Sequence, residues 1–531
     1  MRLRRRNVGA ATSPARFARA SRRLPSTAAH MVGLTLTFTA AGMAISLLVD
    51  LGTGGRGATA LGVSSLLTGV VGLLLWRTTR VPARVSARET FTAVTMTWLV
   101  VSLAGALPFV LSGVLPDLDD ALFESISGFT TTGSTVLSPI EGTARGILFW
   151  RQFTQWFGGM GMIVLAVAVL PFLGVGGLEL IRAEAPGPTS DRLAPRVSET
   201  AKRLWLIYGG LTVLGVVALL FSGMSAYDAV AHSFSAVATG GFSPYDASIA
   251  HFDSLAVEVV LIAGMFAAAV NFTLHWRAVQ GEPTIYWRDP GFRFYAGVVL
   301  FGIAVITLLN VADGMAVGRA LRDTSFGVVS LISTTGFATA DFVQWVPAAQ
   351  LLLLGLMVTG GMPGSTCGGV KLLRVQVMVR HAWRELRQAG SPRAVLPVKL
   401  GNQAVPEAIV ARIAGFVLVY FAIAVIGILA LAALGADLPT STGSVITALG
   451  SGGPGLGETG PVSNFTVLDR PSRVVLSALM LLGRLEIFPV LLMFAGLARV
   501  GPRRRRHRRA ASQADSERRP IRIGADGGGT R

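Results

Sequence analysis

One cysteine in 531 residues excludes an intramolecular disulfide and any metal site built from thiolates. That residue, Cys367, lies in a glycine-rich stretch and reads as a small packing residue. Charge is scarce too. Only 14% of residues are charged and 51% are apolar, with a mean hydropathy of +0.58. That balance excludes an ordinary soluble domain and makes the chain an integral membrane protein. Acids are missing from residues 1–30, which hold eight arginines, and residues 503–531 hold ten arginines against three acids. The tails thus carry +8 and +7 of the net +18, leaving +3 for the membrane body. Such tails anchor topology and touch anionic lipid, so no nucleic-acid partner is expected. No small-residue cleavage site follows the first apolar run, so that run is expected to remain as a mature span.

Catalytic groupings are absent as well. The six histidines are scattered; His232 and His275 lack the paired spacing on two spans that a haem needs, and read as satisfied or solvent-facing. No Ser-His-Asp or paired-carboxylate arrangement follows from spacing. Gly455–Gly460 matches G-x-G-x-x-G but follows a turn rather than a strand, and Gly364–Lys371 has no Gly-Lys-Ser/Thr. The chain is therefore not expected to be an enzyme or to hold an organic cofactor.

What is present is an internal repeat. Two places before each of Gly133, Gly241, Gly336 and Gly453 stands a hydroxyl residue: Thr131, Thr239, Thr334 and Ser451. Six places before stand Ser127, Ser235, Ser330 and Thr447. Thirteen places before stand Asp120, Asp228, Asp323 and Thr440, all types that cap helix N-termini. Each block is thus a capped segment of about ten residues running into a hydroxyl- and glycine-rich turn, too short to span a bilayer. A re-entrant half-helix of this kind aims its partly negative C-terminal end inward, which favours a cation. The glycine then allows φ > 0, so successive carbonyls of four turns can face one axis and replace an alkali cation's hydration shell.

Apolar segments at 31–50 and 57–76 lead the chain, and four units of span, block and span follow. Their spans are expected near 91–113 and 147–174, 204–222 and 254–274, 294–311 and 348–380, and 408–434 and 473–498. The fold expected is an all-α membrane protein: two leading helices, then four pseudo-symmetric units around a central cation pore. The divisions are a basic tail (1–30), the leading pair (31–90), units 1 to 4 (91–181, 182–290, 291–400, 401–500) and a second basic tail (501–531). Ten spans put both tails and the basic loops at 77–90, 182–203, 275–293 and 380–399 on the cytoplasmic side, satisfying the positive-inside rule.

Two further stretches break the apolar pattern. Gly360–Lys371, with Gly360, Gly361, Gly364, Gly368 and Gly369 plus Pro363, splits a span into halves of about 11 and 15 residues. Irregular backbone at membrane depth is tolerated where it is buried or lines a watery cavity, so a movable pore-lining loop is expected. Gly483–Glu486 puts Arg484 and Glu486 midway along the last span, where ionisable groups face a polar interior or a partner. Arg484 would raise the barrier to a cation; a structural ion pair is the equal alternative.

The segments Ser125–Thr135, Trp150–Pro171, His232–Ser243, Ser333–Phe342, Gly360–Lys371, Ala448–Gly457 and Leu481–Leu492 together resemble the Trk/Ktr/HKT superfamily of cation transporters. Within it the chain is most similar to the TrkH family of Trk-type potassium uptake membrane subunits, the two leading spans favouring that branch. The resemblance implies a K⁺ filter at Thr131-Thr132-Gly133, Thr239-Gly240-Gly241, Thr334-Thr335-Gly336 and Ser451-Gly452-Gly453. It implies that Gly360–Gly369, followed by Lys371, is the gating loop and that Arg484 projects into the pore beside it. It also implies a homodimer in the bacterial inner membrane, bound to a cytosolic, TrkA-like nucleotide-binding regulatory subunit. K⁺ is the transported ion in this reading. A sodium-selective or proton/sodium-coupled relative is the alternative, and Gly133 speaks against the sodium-selective form, since a serine there goes with Na⁺ preference in the plant branch.

Topology is directly testable. Reporter fusions at residues 20 and 510 should both signal cytoplasm; an external C-terminus would mean that one of the ten spans is misread.

Overall fold

The structure is a computed structural model that describes residues 24–82, 85–168, 193–391, 394, 396–401, 403–487 and 490–491. Seventeen α-helices are described, with two pairs of two-residue strands (Leu24–Pro25 beside Thr79–Arg80, Lys399–Leu400 against Gln403–Ala404) as the only sheet among these residues. The all-α expectation holds. Of the two tails, only residues 24–30 lie within the described region.

The leading helices α1 (Thr27–Gly52) and α2 (Ala58–Thr78) form an antiparallel hairpin. Asp50, buried near the end of α1, accepts from the Gly57 amide at 2.8 Å and from the Gly146 amide at 3.1 Å. Gly146 opens α5 (Arg145–Ala168), so this carboxylate answers unpaired N–H groups at a helix start and fastens the hairpin to unit 1.

Unit 1 continues with α3 (Ala87–Leu111) and the half-helix α4 (Leu118–Phe129) before α5. Unit 2 holds α6 (Leu193–Phe221), the half-helix α7 (Ala226–Ala238), α8 (Leu255–Ala268), α9 (Phe272–Val279) and the short α10 (Ile285–Arg288). Unit 3 holds α11 (Pro290–Ala312), the half-helix α12 (Val317–Ile332), α13 (Pro347–Thr359) and α14 (Leu372–Gly390). Unit 4 holds α15 (Glu407–Ala433), the half-helix α16 (Leu438–Gly450) and α17 (Arg470–Arg484).

Six described helices (α1, α2, α3, α6, α11, α15) are long and apolar enough to cross a membrane, and the α8–α9 pair makes a seventh at most. The other second helices fall short for physical reasons. α5 carries Arg145, Arg151, Gln152 and Gln155, α13 has only 13 residues before its break, and α17 ends after 15.

Three expectations need correction. The half-helices start earlier than Asp120, Asp228, Asp323 and Thr440: their N-caps are Asp117, Ser225, Ala316 and Asp437. In units 1, 2 and 4 another residue of capping type lies three places upstream, which puts the expected caps within the first helical turn; Asp228, for example, donates its amide to Ser225 Oγ at 3.2 Å. Unit 2's second span, expected near 254–274, bends by 101° at the junction of α8 and α9. Asn271 caps the new helix by accepting from Thr273 N (2.8 Å), and the glycine loop joins the bend through Met362 N, which donates to the Ala269 carbonyl (2.9 Å), and the Gly364 carbonyl, which accepts from Phe272 N (3.0 Å). Unit 4's second span is interrupted after Arg484, where Glu486 and Ile487 have φ of 55 and 61°; of the expected span 473–498, residues 488–489 and 492–498 lie outside the described residues.

Asp50→Ala should lower stability by about 1–3 kcal/mol for each buried amide it leaves unpaired. Asp50→Asn, which keeps one acceptor oxygen, should cost less. Thermal unfolding in detergent would show the order, and equal losses would mean that Asp50 acts only by packing.

Candidate functional site

The four turns come together at the inner ends of α4, α7, α12 and α16, and they share a backbone shape. Thr131, Thr239, Thr334 and Ser451 are left-handed, with φ of 54 to 55°, and Gly133, Gly241, Gly336 and Gly453 have φ of 81 to 86°. A left-handed residue other than glycine costs on the order of 1–3 kcal/mol and persists only where its surroundings impose it. Here they do. The amides of Thr132, Gly240, Thr335 and Gly452 donate to the carbonyls of Ser127, Ser235, Ser330 and Thr447 at 2.9, 2.9, 2.9 and 3.1 Å. The column of hydroxyl residues six places before each glycine is thus also the column of acceptors that pins each turn.

The turns touch as a ring. A Cβ on Gly133 would lie 2.1 Å from the Gly240 carbonyl oxygen, one on Gly241 2.1 Å from that of Thr335, and one on Gly336 2.7 Å from that of Gly452. Ser134 Oγ closes the circuit by donating to the Gly453 carbonyl at 3.0 Å. Units 1 and 3 brace themselves from within: Thr130 and Thr132 hydroxyls pair at 2.8 Å, Ser333 and Thr335 at 2.7 Å. Units 2 and 4 have Gly240 and Gly452 at the same place, so the ring's chemistry repeats in alternate units. The hydroxyls of Thr131 and Ser451 are buried without a hydrogen-bond partner.

Outside the ring, Glu124 of α4 is fully buried and pairs with Arg151 of α5 at 2.5 Å. Glu124 also accepts from Thr135 Oγ1 and from the Val136 amide at 2.9 Å, while Arg151 donates to the Ser243 carbonyl at 2.8 Å and covers the Phe242 ring at 3.6 Å. This buried pair ties unit 1's half-helix to the strands leaving the ring in units 1 and 2. His232 holds the same repeat position as Glu124. Its ring bonds to the Asp228 carbonyl (2.8 Å) and to Ser243 Oγ (3.1 Å), as a satisfied core histidine does. His275 is likewise occupied, by Tyr286 Oη at 2.7 Å and the Ala267 carbonyl at 2.9 Å.

On the other side of the ring lies Gly360–Lys371, between α13 and α14. Gly360, Gly364 and Gly369 have φ of 66, 77 and 73°, and Lys371 has 72°. The loop meets three units: the Gly368 amide donates to Thr334 Oγ1 (2.9 Å), Thr366 Oγ1 to the Val237 carbonyl (3.0 Å), and a Cβ on Gly368 would lie 2.1 Å from the Gly450 carbonyl. Gly361 packs on Cys367 and the Ala269 carbonyl, and its own carbonyl accepts from Leu372 N at 3.0 Å. Arg484 is buried and donates to the Thr366 carbonyl at 2.9 Å; Lys371, also buried, donates to the Cys367 carbonyl at 2.6 Å. Glu486 does not pair with Arg484. It forms a buried ion pair with Arg374 of α14, whose guanidinium lies 4.1 Å from the Phe416 ring. Lys371 and Arg484 therefore remain two cations held by carbonyls directly against the loop.

All twelve residues expected in the filter lie in this ring, and of the seven expected at the gate six lie in the Gly360–Lys371 loop and Arg484 lies against it. A cavity of about 830 Å³, lined by Asp253, Glu258, Arg322 and Asp323 among others, sits apart from both, between units 2 and 3. The ring is nonetheless where four left-handed hydroxyl residues meet. Sequence reasoning missed Glu124, Arg151 and Gln155; ionisable or amide side chains inside an apolar run were the available signal.

A family profile described as TrkH, cation transport protein, matches residues 63–499. The Trk system potassium uptake protein TrkH of Salmonella typhimurium is 43% identical over 430 residues, covering 80% of this chain and 88% of that protein. The protein of the same name from Escherichia coli K12 is 42% identical over the same shares. The crystal structure of the potassium transporter TrkH from Vibrio parahaemolyticus superposes with a TM-score of 0.81 at 36% identity, covering 88% of this chain and 98% of that one. With the profile spanning most of its length, this chain belongs to the TrkH family of cation transport proteins.

Proposed function

We propose that this chain takes up potassium through the ring, with Gly360–Lys371 and Arg484 as the gate beneath it. The observation that carries the reading is the fourfold left-handed hydroxyl and positive-φ glycine at the ends of four half-helices. Helix C-termini concentrate partial negative charge there. The buried, unpartnered hydroxyls of Thr131 and Ser451 are oxygen ligands in want of a partner, as an ion or its water would be. The potassium uptake named for the Salmonella and Escherichia relatives supports K⁺ as the cargo.

The protein works in a bacterial inner membrane with both termini in the cytoplasm, as a homodimer. A cytosolic, TrkA-like nucleotide-binding subunit controls it, in keeping with the Trk system of its relatives' names. A charge moving through 100 mV gains about 2.3 kcal/mol, and tenfold in concentration costs about 1.4 kcal/mol. A negative interior therefore sustains roughly 50-fold accumulation without ATP.

Closure follows from the same contacts. The loop bonds to Thr334 and to Val237 beneath the ring, and Arg484 holds it through the Thr366 carbonyl. Opening must break the hydrogen bond of Arg484 and move two buried cations out of an ion's way.

Gly133→Ser should cut the preference for K⁺ over Na⁺ at least roughly tenfold, about 1.4 kcal/mol, because its Cβ meets the Gly240 carbonyl. Rubidium flux into proteoliposomes with sodium as competitor measures it; unchanged competition in a folded variant would sink the ring as filter. Shortening Gly360–Gly369 and Arg484→Ala should each raise flux without the cytosolic partner, and the double variant should show less than the sum. Additive effects, or none, would reduce the loop to a structural break.

A further inference from the structure

Units 1 and 3 hold their second ring residue by its own hydroxyl, but Gly240 and Gly452 have no side chain to be held by. The space behind them is filled from the preceding unit's second helix. A Cβ on Gly240 would lie 2.4 Å from Gln155 Cδ of α5, and one on Gly452 would lie 2.2 Å from Met357 Sδ of α13. Gln155 and Met357 therefore occupy matching places behind alternate strands of the ring.

Their chemistry differs. Met357 fills its site as a flexible apolar body and takes only a long contact from Thr447 Oγ1, at 3.4 Å. Gln155 is fully buried, and both ends of its amide bond to unit 2. Its Nε2 donates to the Gly240 carbonyl at 2.6 Å, while its Oε1 accepts from Ser235 Oγ at 2.7 Å and from the Phe242 amide at 3.1 Å. The two accepted bonds decide which end of the amide faces Gly240, so the N–H is delivered to that carbonyl by design of the pocket.

Resting on the reading of the ring as the filter, the geometry points to Gln155 as a specificity-determining positioning residue of unit 2. Gly240-Gly241 is a pair of glycines, for which rotation of the peptide plane is sterically cheap. The Gln155 N–H pins that plane and with it the directions of the flanking Thr239 and Gly241 carbonyls. Discrimination between ions of different size depends on the number and direction of such dipoles. Gln155 touches no ion itself; it acts through the Gly240 carbonyl.

The test is ion competition with the full-length protein in proteoliposomes, comparing Gln155→Met, Ser235→Ala and Gly133→Ser. Gln155→Met copies the side chain behind unit 4, preserving volume while removing all three bonds. It should lower K⁺ over Na⁺ preference roughly tenfold, as for one lost buried hydrogen bond. Ser235→Ala, which only loosens the amide's orientation, should cost a few-fold, and the double variant should add little to Gln155→Met. If Gln155→Met fails to fold, Ser235→Ala carries the test alone, and an unchanged ratio there overturns the inference. A purely structural Gln155 would lower thermal stability and the flux of all ions together with the ratio intact, which also overturns it. Loss of preference in Gly133→Ser but not in the other two would reject Gln155 and leave the filter standing. No change in any of the three would reject the filter reading first.

Discussion

Four short helices stop inside an apolar layer, and the carbonyls at their ends have no partner within the helix. That is the constraint on which the rest depends, because an unanswered backbone group at membrane depth costs several kcal/mol. The chain meets it by turning each end sharply through a left-handed residue, so that one amide folds back onto the helix. The same strained turn is repeated four times, at Thr131, Thr239, Thr334 and Ser451.

Everything around the ring keeps those turns from relaxing. The Glu124–Arg151 pair binds unit 1's half-helix to the strands that leave two of the turns, and its burial is tolerated because each partner makes further hydrogen bonds. Asp50 fastens the leading hairpin to the start of the same helix, α5, that carries Arg151 and Gln155. α5 is continuous through its described length, whereas α8, α13 and α17 are each followed by a break. The unbroken helix braces the ring, and the broken ones make room for the loop and for Arg484.

Much of this was legible in the sequence, for reasons that differ by residue. The glycine column was readable because positive φ so strongly favours one amino acid, and the hydroxyls before it because they repeat in the same register. The glycine-rich break in unit 3 declared itself by composition. The half-helix starts were misread since the chain offers capping residues twice, three places apart, as at Ser225 and Asp228. The 101° bend in unit 2 was illegible because no glycine or proline marks Ala269–Asn271; partners distant in sequence, the Gly364 carbonyl and the Met362 amide, stabilise it. Glu486 takes the structural ion pair that the sequence left open as an alternative, but its partner is Arg374, 112 positions away. A partner so remote leaves no trace in local spacing.

The bond from Ser134 to Gly453 spans 319 positions of chain. At about 5–20 residues per second, ribosomes need roughly 16 to 64 seconds to make that stretch. During that interval one, then two, then three of the turns exist without the wall that the fourth supplies. Insertion of this protein is therefore a problem of timing as well as of hydrophobicity. The unfinished turns must stay wet or be shielded by the insertion machinery until the fourth unit arrives, and a pause in translation before Leu438–Gly450 prolongs the chain's most vulnerable state.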